Sequence, residues 1–351
     1  MKDNLNTVCF FGTYDSSIPR NRILMKGLRQ NGVEVVECQS TKQGIAKYRE
    51  LIEKHGKLKG KYDALIVGFP GYTAVILARF LTQRPIIFDA FVSQYDSLVH
   101  DRKQVRPYTL KALWYRYLDW VSVRLADRVL LDTDTHIKYF LKMFGSKKEK
   151  YLRVLVGSDP DEVHPVEAAK EEFFTVHFHG NYIPLQGVQH IIEAARMLEE
   201  ENVVFNLVGD GQEYKKAQKF AEGLLNVSFL PRVPYAKLKE QMCRSHVVLG
   251  IFGDTDKAKR VIPNKVYEAL AVGAPVVTGD SPAFRECFKD KEEMMLVPMA
   301  DAKTLAEAIL TLRDNEVLRK KIAEKGHVWF KENATPEVIG RQLKYDIIDA
   351  L

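Results

Sequence analysis

The chain has 351 residues, 46% of them hydrophobic and 28% charged, with a formal net charge of +6. That length suffices for two domains with full cores, and the composition excludes a disordered chain. No apolar run approaches the ~20 residues of a membrane span, and the four cysteines form no CxxC pair, which argues for reduced thiols rather than a disulfide frame or zinc site. The mild positive charge suits anionic small molecules or an acidic membrane surface. No zinc-finger, RRM or KH signature supports nucleic acid as a partner.

In chain order, short β-rich runs alternate with helical segments. The run TVCFF (7–11) reads as a first strand rather than a signal peptide. A helix is predicted near 21–31, a strand at 33–37, a helix through 45–54, a strand at 63–68, a helix at 74–81 and a strand at 85–90. The amphipathic stretch 108–128 leads into a strand at 129–133. The segment VGSDPDEVHPVEAAK (156–170) is rich in Asp and Pro without a period and reads as a linker. The pattern then restarts, with strands at 173–180, 203–211, 227–230, 247–252, 275–279 and 293–298. Helices are predicted near 189–200, 214–223, 235–245, 263–272, 305–315, 318–332 and 336–351. Such alternation predicts an α/β protein of two Rossmann-like, doubly wound domains, 1–162 and 163–333, facing across a cleft where a ligand would sit. Residues 334–351 form a last amphipathic helix.

The stretch GIFGDTDKAKRVIPNKVYEALAVGAPVVTGD (250–280) carries the most chemistry. Pro263 suits a first helical position and Gly273 a helix end. Asn264, Lys265 and Glu268 share one face near the helix N-terminus. Free N–H groups there attract phosphate, and Lys257, Arg260 and Lys265 add positive charge. An ionised Glu268 accepts two hydrogen bonds from a diol. A diphosphate attached to a ribose meets both demands; a surface Lys265–Glu268 pair is the plainer alternative.

The segment IPNKVYEALAVGAPVVTGD resembles the signature of retaining family 4 ("group 1") glycosyltransferases of the GT-B fold. FHGNYIPLQGVQHIIEAARML (178–198), FNLVGDGQEYKKA (205–217) and VSFLPRVPYAKLKEQM (227–242) agree in order and spacing. Weaker matches run through 10–32, 88–102 and 126–136 of the first half. The resemblance implies a nucleoside-diphosphate sugar as donor substrate, no metal, no other cofactor, and the last helix crossing back onto the first domain. It implies that Glu268 accepts from the donor ribose and that Asn264 and Lys265 hold the diphosphate. Gly180, Asn181 and Gln186 would lie on a phosphate loop, Arg232 and Val233 beside the base, and Gly12 on the opposite side of the donor. Many family members carry a glutamate where this chain has Arg260, and cations where it has Asn181 and Gln186, so the donor sugar does not carry over.

The implied chemistry needs no protein nucleophile. The leaving diphosphate takes the acceptor proton on the same face, and Lys265, Arg260 and the helix N-terminus stabilise its charge. Asp89 is expected to orient acceptor or sugar hydroxyls. Asp96, Asn21 and Arg22 are weaker acceptor-side candidates. His177, His179 and His190 lack metal-binding spacing, and GDG (209–211) reads as a strand-to-helix turn. Trp114, Tyr115, Tyr117 and Trp120, interleaved with Lys111 and Arg116, read either as core or as a membrane-interface face. The expected reading is a cytoplasmic transferase in glycan or glycolipid assembly, peripheral at the inner membrane face where it docks. Two rivals stay open: a sugar-nucleotide epimerase on the same fold, and a non-catalytic binding or partner-activating subunit.

Overall fold

The structure, a computed structural model, describes residues 5–349. The chain divides into two compact units. Unit 1 runs to Gly157 and resumes at Thr335, and unit 2 is Ser158–Ala334.

Unit 1 is a parallel sheet of β1 (Thr7–Gly12), β2 (Glu34–Gln39), β3 (Ala64–Val67), β4 (Ile86–Phe91), β5 (Arg128–Leu131) and β6 (Tyr151–Arg153), in the order β2-β1-β3-β4-β5-β6. Successive strand residues point to opposite faces. Cys9 and Phe11 therefore join Leu65, Val67, Ile86 and Phe88 on one side, while Val8 and Phe10 join Ile66, Ile87 and Leu130 on the other. Both faces are covered by helices, which is why the central strand β3, Ala64–Val67, reads as an unbroken apolar run. The last helix, Pro336–Ile348, closes the second face by packing Ile339, Leu343 and Ile347 into it. It crosses helix Pro19–Gln30 backbone to backbone: a Cβ on Gly27 would lie 2.1 Å from the carbonyl oxygen of Pro336.

Unit 2 is a parallel sheet of β7 (Phe174–Asn181), β8 (Val203–Asp210), β9 (Val227–Leu230), β10 (Val247–Leu249), β11 (Val276–Asp280) and β12 (Met295–Pro298), in the order β12-β11-β10-β7-β8-β9. Counted from its own first strand this is the dinucleotide-fold order, with its topological switch point between β7 and β10. Its core draws Val176, Phe178, Phe205, Leu207, Leu249 and Val277 from the sheet, covered by helices Val188–Met197 and Ala302–Asp314.

The elements not foreseen include β6, the short helix Pro282–Arg285 and helix Asp134–Phe144. The run expected at 129–133 stops at Leu131 because Thr133 turns to cap that helix, its hydroxyl accepting from the His136 N–H at 3.0 Å. Likewise β10 ends at Leu249 rather than 252. Beyond it Ile251 N bonds the Thr278 hydroxyl, and Phe252 N bonds the Gln186 carbonyl.

Candidate functional site

Ligands of open α/β sheets sit beyond the carboxyl ends of the strands, at the switch point. In unit 2 that place is built from the loop after β7 and the helix after β10. The two loops touch: Gly187 adopts φ +65°, and a Cβ there would lie 2.4 Å from the Gly253 nitrogen. Only glycine permits both the left-handed conformation and that approach. The helix spans Asn264–Ala271, with Pro263 at the N-cap in an extended conformation (φ −75°, ψ 155°) rather than inside the first turn.

Glu268 and Lys265 are both buried, at 5% exposure each, so they are not a surface pair. The Glu268 carboxylate is held from two sides. Tyr235 donates to Oε1 at 2.9 Å, and His179 Nε2 lies 2.9 Å from Oε2. His179 Nδ1 in turn meets His177 Nε2 at 3.1 Å. His177 Nδ1 is buried with no hydrogen-bond partner among the described residues, so its hydrogen belongs on Nε2, pointing at His179. The polarity then runs one way, His177 to His179 to Glu268. Burial above all, with His179 and Lys265 beside it, pushes His177 well below its ordinary pKa and keeps it neutral. For Glu268 burial acts upward, yet the hydrogen bonds from His179 and Tyr235 and the nearby Lys265 together bring it below its ordinary value. The result is a fixed, ionised acceptor with spare lone pairs on both oxygens.

Lys265 lies on the same helix, three residues before Glu268. Its Nζ donates to Gln186 Oε1 at 2.5 Å and sits 3.6 Å from the Phe178 ring centroid. Burial pushes its pKa well down, against the opposing pull of Glu268. The ammonium also passes under Gly180, where a Cβ would come within 2.9 Å of Nζ. Gly180, Gln186, Lys265, His179 and Glu268 therefore form one cluster. Asn264 opens the helix, half-buried, beside it. At the rim, exposed Arg232 donates to the Asn181 side-chain oxygen, and Val233 follows, half-buried. His177, His179 and Tyr235 were not singled out as site residues from the sequence. The signal available was histidine alternation in a strand, which puts both rings on one face.

Other expected positions differ. Lys257 is buried at 8% exposure rather than a mobile surface cation, and Arg260 is half-buried in the same loop. In unit 1, Asp89 was expected to orient hydroxyls but is fully buried. Arg20 grips it at 2.9–3.2 Å while donating to the carbonyls of Val154 (2.6 Å) and Leu155 (2.9 Å). Asn21, placed on the acceptor side, is likewise buried. It ties the loops after β1 and β3 together through Asp15 O (2.9 Å), Phe69 O (2.7 Å) and Phe69 N (2.9 Å). Asp96 is buried at the start of a π-helical turn, Asp96–Asp101, and Arg22 is half-buried. Gly12 ends β1 at φ +132°.

Residues 159–329, nearly the whole of unit 2, match the family model described as "Glycosyl transferases group 1". Unit 2 is therefore similar to the group 1 glycosyltransferases over that span. Among curated relatives it is 33% identical over 158 residues to the phosphatidyl-myo-inositol mannosyltransferase of Mycobacterium leprae, covering 43% of this chain and 40% of that one. It is 29% identical over 148 residues to the lipopolysaccharide core biosynthesis glycosyltransferase LpsE of Rhizobium meliloti, covering 42% of each. The match thus spans about two fifths of these relatives. Solved structures are similar over the whole chain. Anabaena HepE, determined with UDP and glucose, has a TM-score of 0.71 at 15% identity, covering 99% of this chain and 100% of HepE. Sucrose-phosphate synthase of Thermosynechococcus elongatus reaches 0.74 at 14% identity, covering 99% and 100%. The shared fold is GT-B, a pair of Rossmann-like units.

Proposed function

We propose that the protein transfers a sugar, with retention of anomeric configuration, from a nucleoside-diphosphate sugar to a hydroxyl of a glycan or lipid-linked acceptor. The observation that carries this reading is the ionised Glu268, clamped by His179 and Tyr235 at the switch point beside a helix start and Lys265. Glu268 accepts from the donor ribose diol. The helix N–H groups, Asn264 and Lys265 take the diphosphate. Arrival of that negative charge restores the Lys265 proton affinity that burial removed. Arg260 adds charge from the neighbouring loop. The leaving phosphate takes the acceptor proton on the face it departs from, so the reaction uses no protein nucleophile, no metal and no other cofactor. HepE, of the same fold, was determined with UDP-glucose, which supports the donor class. Relatives named for phosphatidylinositol and lipopolysaccharide core support the acceptor class.

The test is release of nucleoside diphosphate from a panel of sugar nucleotides, with and without glycan and lipid-linked acceptors, in the presence of a chelator. Acceptor-dependent release that survives chelation, with the product's anomeric configuration matching the donor's by NMR, is expected. Donor binding without release or transfer would replace this reading with the non-catalytic one, which the uncharged Asn181 and Gln186 favour. Interconversion of two sugar nucleotides without acceptor would replace it with epimerisation.

A further inference from the structure

Helix Leu110–Leu125 buries Ala112, Leu118, Asp119, Ser122 and Val123 against unit 1. A helix with one apolar face turned to the core ordinarily shows polar residues on the other. This one does not. Leu113, Trp114, Tyr117 and Trp120 are 40–53% exposed, and Tyr108 and Leu110, leading into it, are 93% and 87% exposed. The rings form a continuous ladder, with centroids 5.7 Å apart from Trp114 to Tyr117 and 6.2 Å from Tyr117 to Trp120. The Arg124 guanidinium covers the far end, 5.4 Å from the Trp120 ring.

Along the helix and the segment leading into it, the exposed charges have one sign, up to Asp127, which pairs with Arg79 beyond the helix end. The exposed charged residues from 102 to 126 are Lys103, Arg106, Lys111, Arg116 and Arg124. The one acid in that span, Asp119, is turned inward, accepting from the Ser93 hydroxyl at 2.6 Å and from the backbone of Gln94 and Tyr95. Beside the ladder lies a surface hollow of ≈ 400 Å³, lined by Leu113, Arg116, Tyr117, Trp120, Met143 and Phe144. No described helix is long and apolar enough to cross a membrane.

We propose that this face docks on the surface of an anionic lipid bilayer, with the Trp and Tyr rings at the headgroup level and the five cations against lipid phosphates. Indole and phenol rings partition to that interface because one end is apolar and the other hydrogen-bonds. A uniformly cationic aromatic face fits a uniformly anionic surface, whereas a protein partner would have to supply acids at each cation. The inference is independent of the donor reading, since it uses no residue of the unit 2 cluster.

The experiment is co-sedimentation of the full chain with vesicles of phosphatidylcholine plus phosphatidylglycerol, against vesicles of phosphatidylcholine alone. The wild type binds the anionic vesicles, its tryptophan emission shifts to shorter wavelength, and added salt releases it. Lys111→Gln and Arg116→Gln each weaken binding about fivefold, the equivalent of one interfacial cation. Trp114→Ser/Trp120→Ser abolishes the emission shift. Lys303→Gln, a cation of unit 2, changes nothing. The exposed positions tolerate these changes, and circular dichroism checks the fold. Failure of the folded wild type to bind anionic vesicles overturns the proposal, as does equal binding by the Lys111 and Arg116 variants. A concentration-dependent dimer lost in the double Trp variant, without vesicle binding, assigns the face to a second copy and overturns it too.

Discussion

Replacing His179 by phenylalanine tests the clamp on Glu268. The ring volume is kept, but Glu268 Oε2 loses its donor and His177 Nε2 loses its acceptor. A hydrogen bond to a charged group contributes about 1.5–3 kcal/mol, and an orphaned buried donor costs about 1–3 kcal/mol, so unit 2 should lose roughly 3–5 kcal/mol. Trp329 is the one tryptophan of unit 2. In a Trp114→Phe/Trp120→Phe background its fluorescence follows urea unfolding of that unit alone, which avoids averaging two units into one transition. The pH dependence has a definite sign. The folded pKa of Glu268 lies below its ordinary 4.5, so its stabilisation is complete above the unfolded value and is lost as pH falls through the folded one. His179→Phe removes the main lowering influences and leaves the upward effect of burial, so the gap between wild type and variant should be full at neutral pH and shrink as pH falls through the carboxylate range towards the wild type's folded value. A gap under about 1 kcal/mol, or one that does not change with pH, refutes the clamp.

Lys265→Met should leave unit 2 as stable as the wild type at neutral pH, or about 1–3 kcal/mol more stable, because an ammonium is no longer buried. Its folded pKa is depressed, so wild-type stability should rise relative to the variant as pH climbs from the folded value towards 10.5; matched urea titrations across that range check this. The same variant should lose donor turnover, and a transfer rate equal to wild type would remove Lys265 from the phosphate role. Asp89→Leu should cost about 3–5 kcal/mol by leaving Arg20 buried and unpaired, and Arg20→Met/Asp89→Leu should recover most of that in thermal melts. A stable double variant without transfer activity would return Asp89 to the chemistry.

The alternation of strands and helices was legible because the central strands carry short β-rich apolar runs, such as ALIV in β3 and VVL in β10, and VSFL at 227–230 is the observed β9. Segments with weak runs were not: β6 is three residues after a lysine-rich stretch, and helix Asp134–Phe144 starts within what reads as a strand end. The helix carrying Lys265 and Glu268 was visible from Pro263, Gly273 and spacing. What those side chains meet was not, because His179 lies 89 positions before Glu268 and Tyr235 lies 33 before it, and only the strand order brings them together. The same limit explains Asp89 and Asn21. A polar residue near a strand end, as Asp89, or at a helix start, as Asn21, reads as a ligand-facing group, but their partners, Arg20 and the Phe69 backbone, are set by packing at long range.

Isothermal titration of a sugar-nucleotide panel into the wild type and Glu268→Ala tests the central claim most directly. One nucleoside-diphosphate sugar should bind the wild type, and the variant should bind it about 100-fold more weakly, the worth of one to two hydrogen bonds to a charged acceptor. Equal affinity in a folded Glu268→Ala, or no binding by the wild type across the panel, would contradict the assignment of this cluster as the donor site.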